Sequence, residues 1–74
     1  MNRDVPDLVA RILGFPREEV KPTSALREDL GLDEYDLAEL VEELESELGG
    51  KIPDAMMWSS RTVGDLGRSL KPAG

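Results

Sequence analysis

The apolar positions of this chain fall into spaced groups, and the spacing predicts helices. Val5, Leu8, Val9 and Ile12 recur at intervals that place them on one helical face, which predicts a first helix over Val5–Leu13. Asp4 suits its N-cap, and Pro6 falls in the first turn, where a missing N–H does no harm. Gly14, followed by Phe15-Pro16, ends it. The most regular stripe is Leu37, Leu40, Val41, Leu44 and Leu48, which predicts a helix over Glu34–Leu48. Asp33 is its expected N-cap, with Asp36 three residues on as the reciprocal partner, and Gly49-Gly50 stops it.

Between these two helices, residues 15–32 show no period. Pro16, Pro22 and the Thr23-Ser24 pair mark turns. Val20, Leu26, Leu30 and Leu32 are too scattered for one helix and read as anchors pinning a long loop to the bundle, with a short helical turn around residues 25–29. A loop of this length in so small a domain hints at function. After Lys51-Ile52, residues 53–58 hold a turn or two of helix. Thr62-Val63-Gly64-Asp65 then has the form of a second capping box, opening a last helix to about Leu70 on the face of Val63, Leu66 and Leu70. Gly64 and Gly67 weaken it on propensity, so packing must hold it. Residues 71–74 read as a frayed tail. No alternation predicts a strand. The expected fold is all-α: a four-helix bundle of three main helices and a short third one, in a single domain over residues 1–74.

Composition narrows the function classes. The chain has 74 residues, of which 39% are hydrophobic, and no run approaches the roughly 20 apolar residues of a transmembrane helix. The start, Met1-Asn2-Arg3-Asp4, lacks a secretory signal's apolar segment, so a cytoplasmic protein is expected. Sixteen acids against nine bases give a net charge of -7, which argues against nucleic acid or an anionic membrane as partner and favours basic protein surfaces. Cysteine and histidine are both absent, removing the commonest thiol nucleophile and the commonest general base. An enzyme is not expected. Asp29, Asp33 and Asp36 crowd one helix start, but their spacing is not that of an EF-hand, so weak diffuse Ca2+ or Mg2+ binding is expected and a dedicated metal site is not.

The run Glu28-Asp29-Leu30-Gly31-Leu32-Asp33-Glu34-Tyr35-Asp36, continued by Leu37-Ala38-Glu39-Leu40-Val41, resembles the acyl carrier protein signature. In that family the pattern is roughly Glu-Asp-Leu-Gly-x-Asp-Ser-Leu-Asp, followed by x-x-Glu-Leu-Val and an acidic helix. Ile12-Leu13-Gly14, Ile52-Pro53-Asp54 and Thr62-Val63-Gly64-Asp65-Leu66 match further family positions in order. The resemblance implies a carrier of acyl or aminoacyl thioesters on a 4′-phosphopantetheine arm. That arm is joined to a serine at the start of the second helix, on which partner enzymes with basic surfaces dock.

One departure matters. The position of the family's serine is held by Glu34. Pantetheinylation needs a hydroxyl that yields a stable phosphodiester; a carboxylate would give a mixed anhydride, which hydrolyses. No cofactor is therefore expected on this chain, and 4′-phosphopantetheine would be implied only if residue 34 were Ser. Tyr35 is turned by about 100° along the helix, to where the family has a half-buried leucine. Thr23, Ser24, Ser46, Ser59, Ser60, Thr62 and Ser69 lie outside the motif. Three explanations stand open: a natural degenerate carrier that docks without cargo, a Ser-to-Glu variant of a normal carrier of fatty-acid or polyketide type, or a role unrelated to acyl chemistry. A glutamate mimics a phosphate only in part, with one charge against roughly -1.5 to -2.

From Glu28 to Leu48 there are ten acids and no bases, and Glu39, Glu42, Glu43, Glu45 and Glu47 lie off the apolar stripe. The plain reading is a solvated face. The like-charged pairs Glu39 with Glu43 and Glu43 with Glu47 each cost about 0.2–0.5 kcal/mol, which favours docking over mere solubility. The expected partner is the basic surface of a synthase, ligase or transferase, met by a monomer through Leu32, Asp33, Tyr35, Asp36, Glu39, Glu42 and Glu43. The rival is a free-standing acidic interaction or regulatory protein that reuses the fold. Met56, Met57 and Trp58 form an apolar cluster, of which one or two close the end of the bundle; Trp58 has no family counterpart.

Overall fold

Four helices and one small β-pair make up a computed structural model that describes residues 4–72. Helix α1 spans Val5–Leu13, α2 Glu34–Leu48, α3 Asp54–Ser59 and α4 Val63–Ser69. Strand β1, Gly50–Lys51, pairs antiparallel with β2, Lys71–Pro72, with Gly50 opposite Pro72 and Lys51 opposite Lys71. The helical bundle is as expected.

Local chemistry accounts for the boundaries. The Asp4 carboxylate accepts the Asp7 N–H at the start of α1, and Gly14, in the left-handed region at φ 79°, closes it. At α4 the Thr62 hydroxyl accepts the Asp65 N–H, while Asp65 accepts the N–H of both Thr62 and Arg61. These bonds to backbone N–H groups, Arg61 first, hold the Asp65 carboxyl below its ordinary value.

The core is one cluster contributed by every helix. It contains Leu8 and Val9 of α1, Leu37, Leu40, Val41 and Leu44 of α2, Met57 of α3, and Val63 and Leu66 of α4. The loop anchors Val20, Leu26, Leu30 and Leu32 are all buried in it, as is Ile52. The loop is further sewn to the α3–α4 connection by its backbone. Leu26 N–H donates to Arg61 C=O at 2.8 Å, Val63 N–H to Ser24 C=O at 3.0 Å, and Gly64 N–H to Pro22 C=O at 2.9 Å. Burying the long loop is feasible because its polar backbone is satisfied in this way.

Three details differ from the sequence reading. Residues 71–72 are not frayed: they form β2, and the expectation of no strand fails there because two-residue strands are too short to show alternation. Residues 73–74 of the expected tail lie outside the described residues. A 3-10 turn over Arg17–Glu19 was not anticipated. Helix α4 carries its two glycines because it packs closely: a Cβ at Gly64 would meet Pro22 O at 3.1 Å, and one at Gly67 would meet a Val5 methyl at 3.3 Å.

Candidate functional site

The start of α2 is built from the loop inward. In residues 25–31 the chain makes a helix-like turn, with Asp29 and Leu30 N–H both donating to Ala25 C=O and the Asp29 carboxylate accepting Ala25 N–H at 2.7 Å. Gly31, at φ 70°, reverses the chain so that Leu30 and Leu32 on either side both enter the core. A side chain at that φ would be strained, which explains glycine there. Asp33 then caps α2: its carboxylate accepts Asp36 N–H at 2.8 Å, and the Asp36 carboxylate accepts Asp33 N–H at 3.3 Å. Both acids are thus structural as well as surface groups.

Glu34 is the first residue of α2 and is exposed. Among the described residues nothing pairs with its carboxylate. Tyr35 beside it is 72% exposed, which corrects the half-buried setting expected for its ring. Leu32 is corrected the other way: at 8% exposure it belongs to the core, so the docking contact expected of it is not open to a partner.

Farther along α2, Glu39, Glu42 and Glu43 are exposed, and among the described residues none makes an ion pair. With Asp36 they rim an open groove of about 470 Å3 between α1 and α2, floored by Ile12, Leu13 and Leu40. Glu45 is different: it is half-buried and accepts the Ile52 N–H at 2.7 Å, tying α2 to the chain beyond β1. Sequence reading missed that role, because the partner is a backbone group seven residues away around a turn. The structure therefore gathers Asp36, Glu39, Glu42 and Glu43 on one rim and removes Leu32 and Glu45 from it.

Residues 3–70 of the 74 match the family model described as the phosphopantetheine attachment site. The chain belongs to that family. Typical members of the family bear a phosphopantetheine group, and carrier domains of this kind generally work with synthase or transferase enzymes.

The donor set at the start of α2 does not fit that group. Its first turn presents two carboxylates and a phenol, and no aliphatic hydroxyl for a phosphodiester. The remaining hydroxyls sit elsewhere. Ser24 is buried and accepts Lys21 N–H, Thr62 caps α4, and Ser69 donates to Asp65 C=O. Ser59 and Ser60 both donate to Met56 C=O. Ser46 lies on α2 about 18 Å along the axis from its start, at about 1.5 Å per residue, and Thr23 is in the loop. Among the described residues no group of three or more His, Cys, Asp or Glu converges on a metal position, and no helix is long and apolar enough to cross a membrane. In the Met56-Met57-Trp58 cluster, Met57 is buried and closes the bundle's end, whereas Met56 and Trp58 are 44% and 46% exposed.

Proposed function

We propose that this member of the carrier family is a non-catalytic docking scaffold that carries no phosphopantetheine at residue 34. It engages enzymes that handle acyl chains or thioesters, of the fatty-acid or polyketide type, through the acidic face of α2. The observation that carries this reading is Glu34 itself. It is an exposed carboxylate without a partner among the described residues, at the first position of α2, directly after the capping Asp33, where the family motif has its serine. Asp36, Glu39, Glu42 and Glu43 support the docking half, because carboxylates that form no ion pair among the described residues are available to a partner's lysines and arginines. The domain acts as a monomer, and its partner presents a basic patch.

Charge reversal tests the docking half in a form that needs no knowledge of the natural partner. Glu34→Ser is incubated with a broad-specificity phosphopantetheinyl transferase and coenzyme A, alone and combined with Glu39→Lys and Glu43→Lys. Steered association predicts that the reversed protein is modified at least tenfold more slowly and that added salt slows the parent. Equal rates for the two proteins across a range of salt would remove the acidic face from the account.

A further inference from the structure

A second cleft, sharing no lining residue with the acidic groove, lies where the long loop meets the end of α3. It has a volume of about 240 Å3 and is lined by Arg27, Glu28, Trp58, Ser60 and Arg61. Its two walls are fixed by backbone: Leu26 N–H donates to Arg61 C=O at 2.8 Å, and Ala25 and Thr62 form an antiparallel bridge beside it. Arg27 and Arg61 are thereby held at one junction although they are far apart in sequence.

The pairing of the arginines singles this cleft out. Of the five described arginines, Arg11, Arg17 and Arg68 form ion pairs with aspartates. Arg27 and Arg61 form none among the described residues, even though acids outnumber bases sixteen to nine and Glu28 lines the same cleft. The molecule's single tryptophan lines the same cleft at 46% exposure.

We propose that this cleft binds a phosphate monoester carried on a flat ring, of which a mononucleotide is the simplest example. Each lining group then has a task. A guanidinium presents a planar fork that matches phosphate oxygens, and two of them neutralise a dianion. The indole offers a face on which a base stacks. The Glu28 carboxylate accepts from a sugar hydroxyl or an exocyclic amine. A partner protein's carboxylate would use the arginines alone and leave the ring and Glu28 without a role. On the lining itself two guanidiniums face one carboxylate, and added salt screens the repulsion from the rest of the acidic stretch. The inference does not depend on the docking reading, since no residue of the cleft belongs to α2.

Trp58 supplies the readout, because its indole N–H gives one resolved NMR signal. Adenosine 5′-monophosphate, adenosine and inorganic phosphate are titrated separately into the unaltered protein and into Arg27→Gln and Arg61→Gln, whose folding is checked by thermal melting. The expected result is a saturable Trp58 shift with the nucleotide and binding at least tenfold weaker for adenosine or phosphate alone. Each glutamine variant should also weaken nucleotide binding about tenfold at an unchanged melting temperature. Absence of a saturable shift, or equal affinity in both folded variants, would overturn the proposal. Phosphate alone binding as tightly as the nucleotide would mean an adventitious ion only. Displacement of the nucleotide by a lower concentration of an acidic peptide would reassign the cleft to a protein side chain.

Discussion

At position 34 the side chain is exposed and makes no hydrogen bond or ion pair among the described residues, so its chemistry can be changed without changing the fold. Glu34→Ser should leave stability within about 0.5 kcal/mol in urea unfolding; a larger loss would mean that the carboxylate holds the start of α2 together. Asp33→Ala, by contrast, opens the capping box and should cost about 1 kcal/mol in the same measurement. Asp65 adds a dependence on pH. Its folded carboxyl titrates below the ordinary 3.8, so its contribution is fully present above that value and is lost as pH falls through the lower, folded value. The stability gap between the unaltered protein and Asp65→Asn should therefore be widest near neutrality and close in strong acid; a gap independent of pH would contradict the assignment. The caps were legible in the sequence because capping needs particular residue types at fixed offsets. The exposure of Leu32 and Tyr35 was not. Whether a residue at a helix start faces core or solvent depends on how Gly31 turns the chain and how the whole helix is rotated, and one motif does not encode either.

Among the elements, α1 and α2 end where their apolar stripes and glycines place them, since a stripe on one face with a stop residue is a local signal. The loop was legible only as a set of anchors. Its route along the α3–α4 connection is fixed by backbone hydrogen bonds, about which side-chain pattern says nothing. The β-pair was invisible for the same reason, but it has a sequence consequence. A Cβ at Gly50 would stand 2.5 Å from Lys71 O, so glycine is needed for the strands to meet. Gly50→Ala should cost about 1–3 kcal/mol through this clash and should expose the amides of the pair to hydrogen exchange; unchanged protection would show that the pairing is not made in solution. The Arg27–Arg61 cleft was likewise hidden, because only the loop's route brings its two arginines together.

Across the whole molecule the charge is unevenly placed. Ten of sixteen acids fall between Glu28 and Leu48, where there are no bases. Three arginines are paired with Asp4, Asp7 and Asp65, none of them on α2. Salt should therefore act with opposite signs on stability and on docking. Screening relieves repulsion within the acidic stretch and raises the melting temperature, while it weakens association with a basic surface. A melting temperature that falls with added salt would mean that the acidic face is held by internal ion pairs after all. The family and the bundle were readable from motif order and spacing, and both are shown. On the proposed reading, the first residue of α2 alone excludes the arm from an otherwise intact carrier scaffold. The most direct test of this reading is the intact mass of the unaltered protein and of Glu34→Ser after incubation with phosphopantetheinyl transferase and coenzyme A. The serine variant should gain one phosphopantetheine and the unaltered protein none. A gain by the unaltered protein, or no gain by the serine variant, would contradict it.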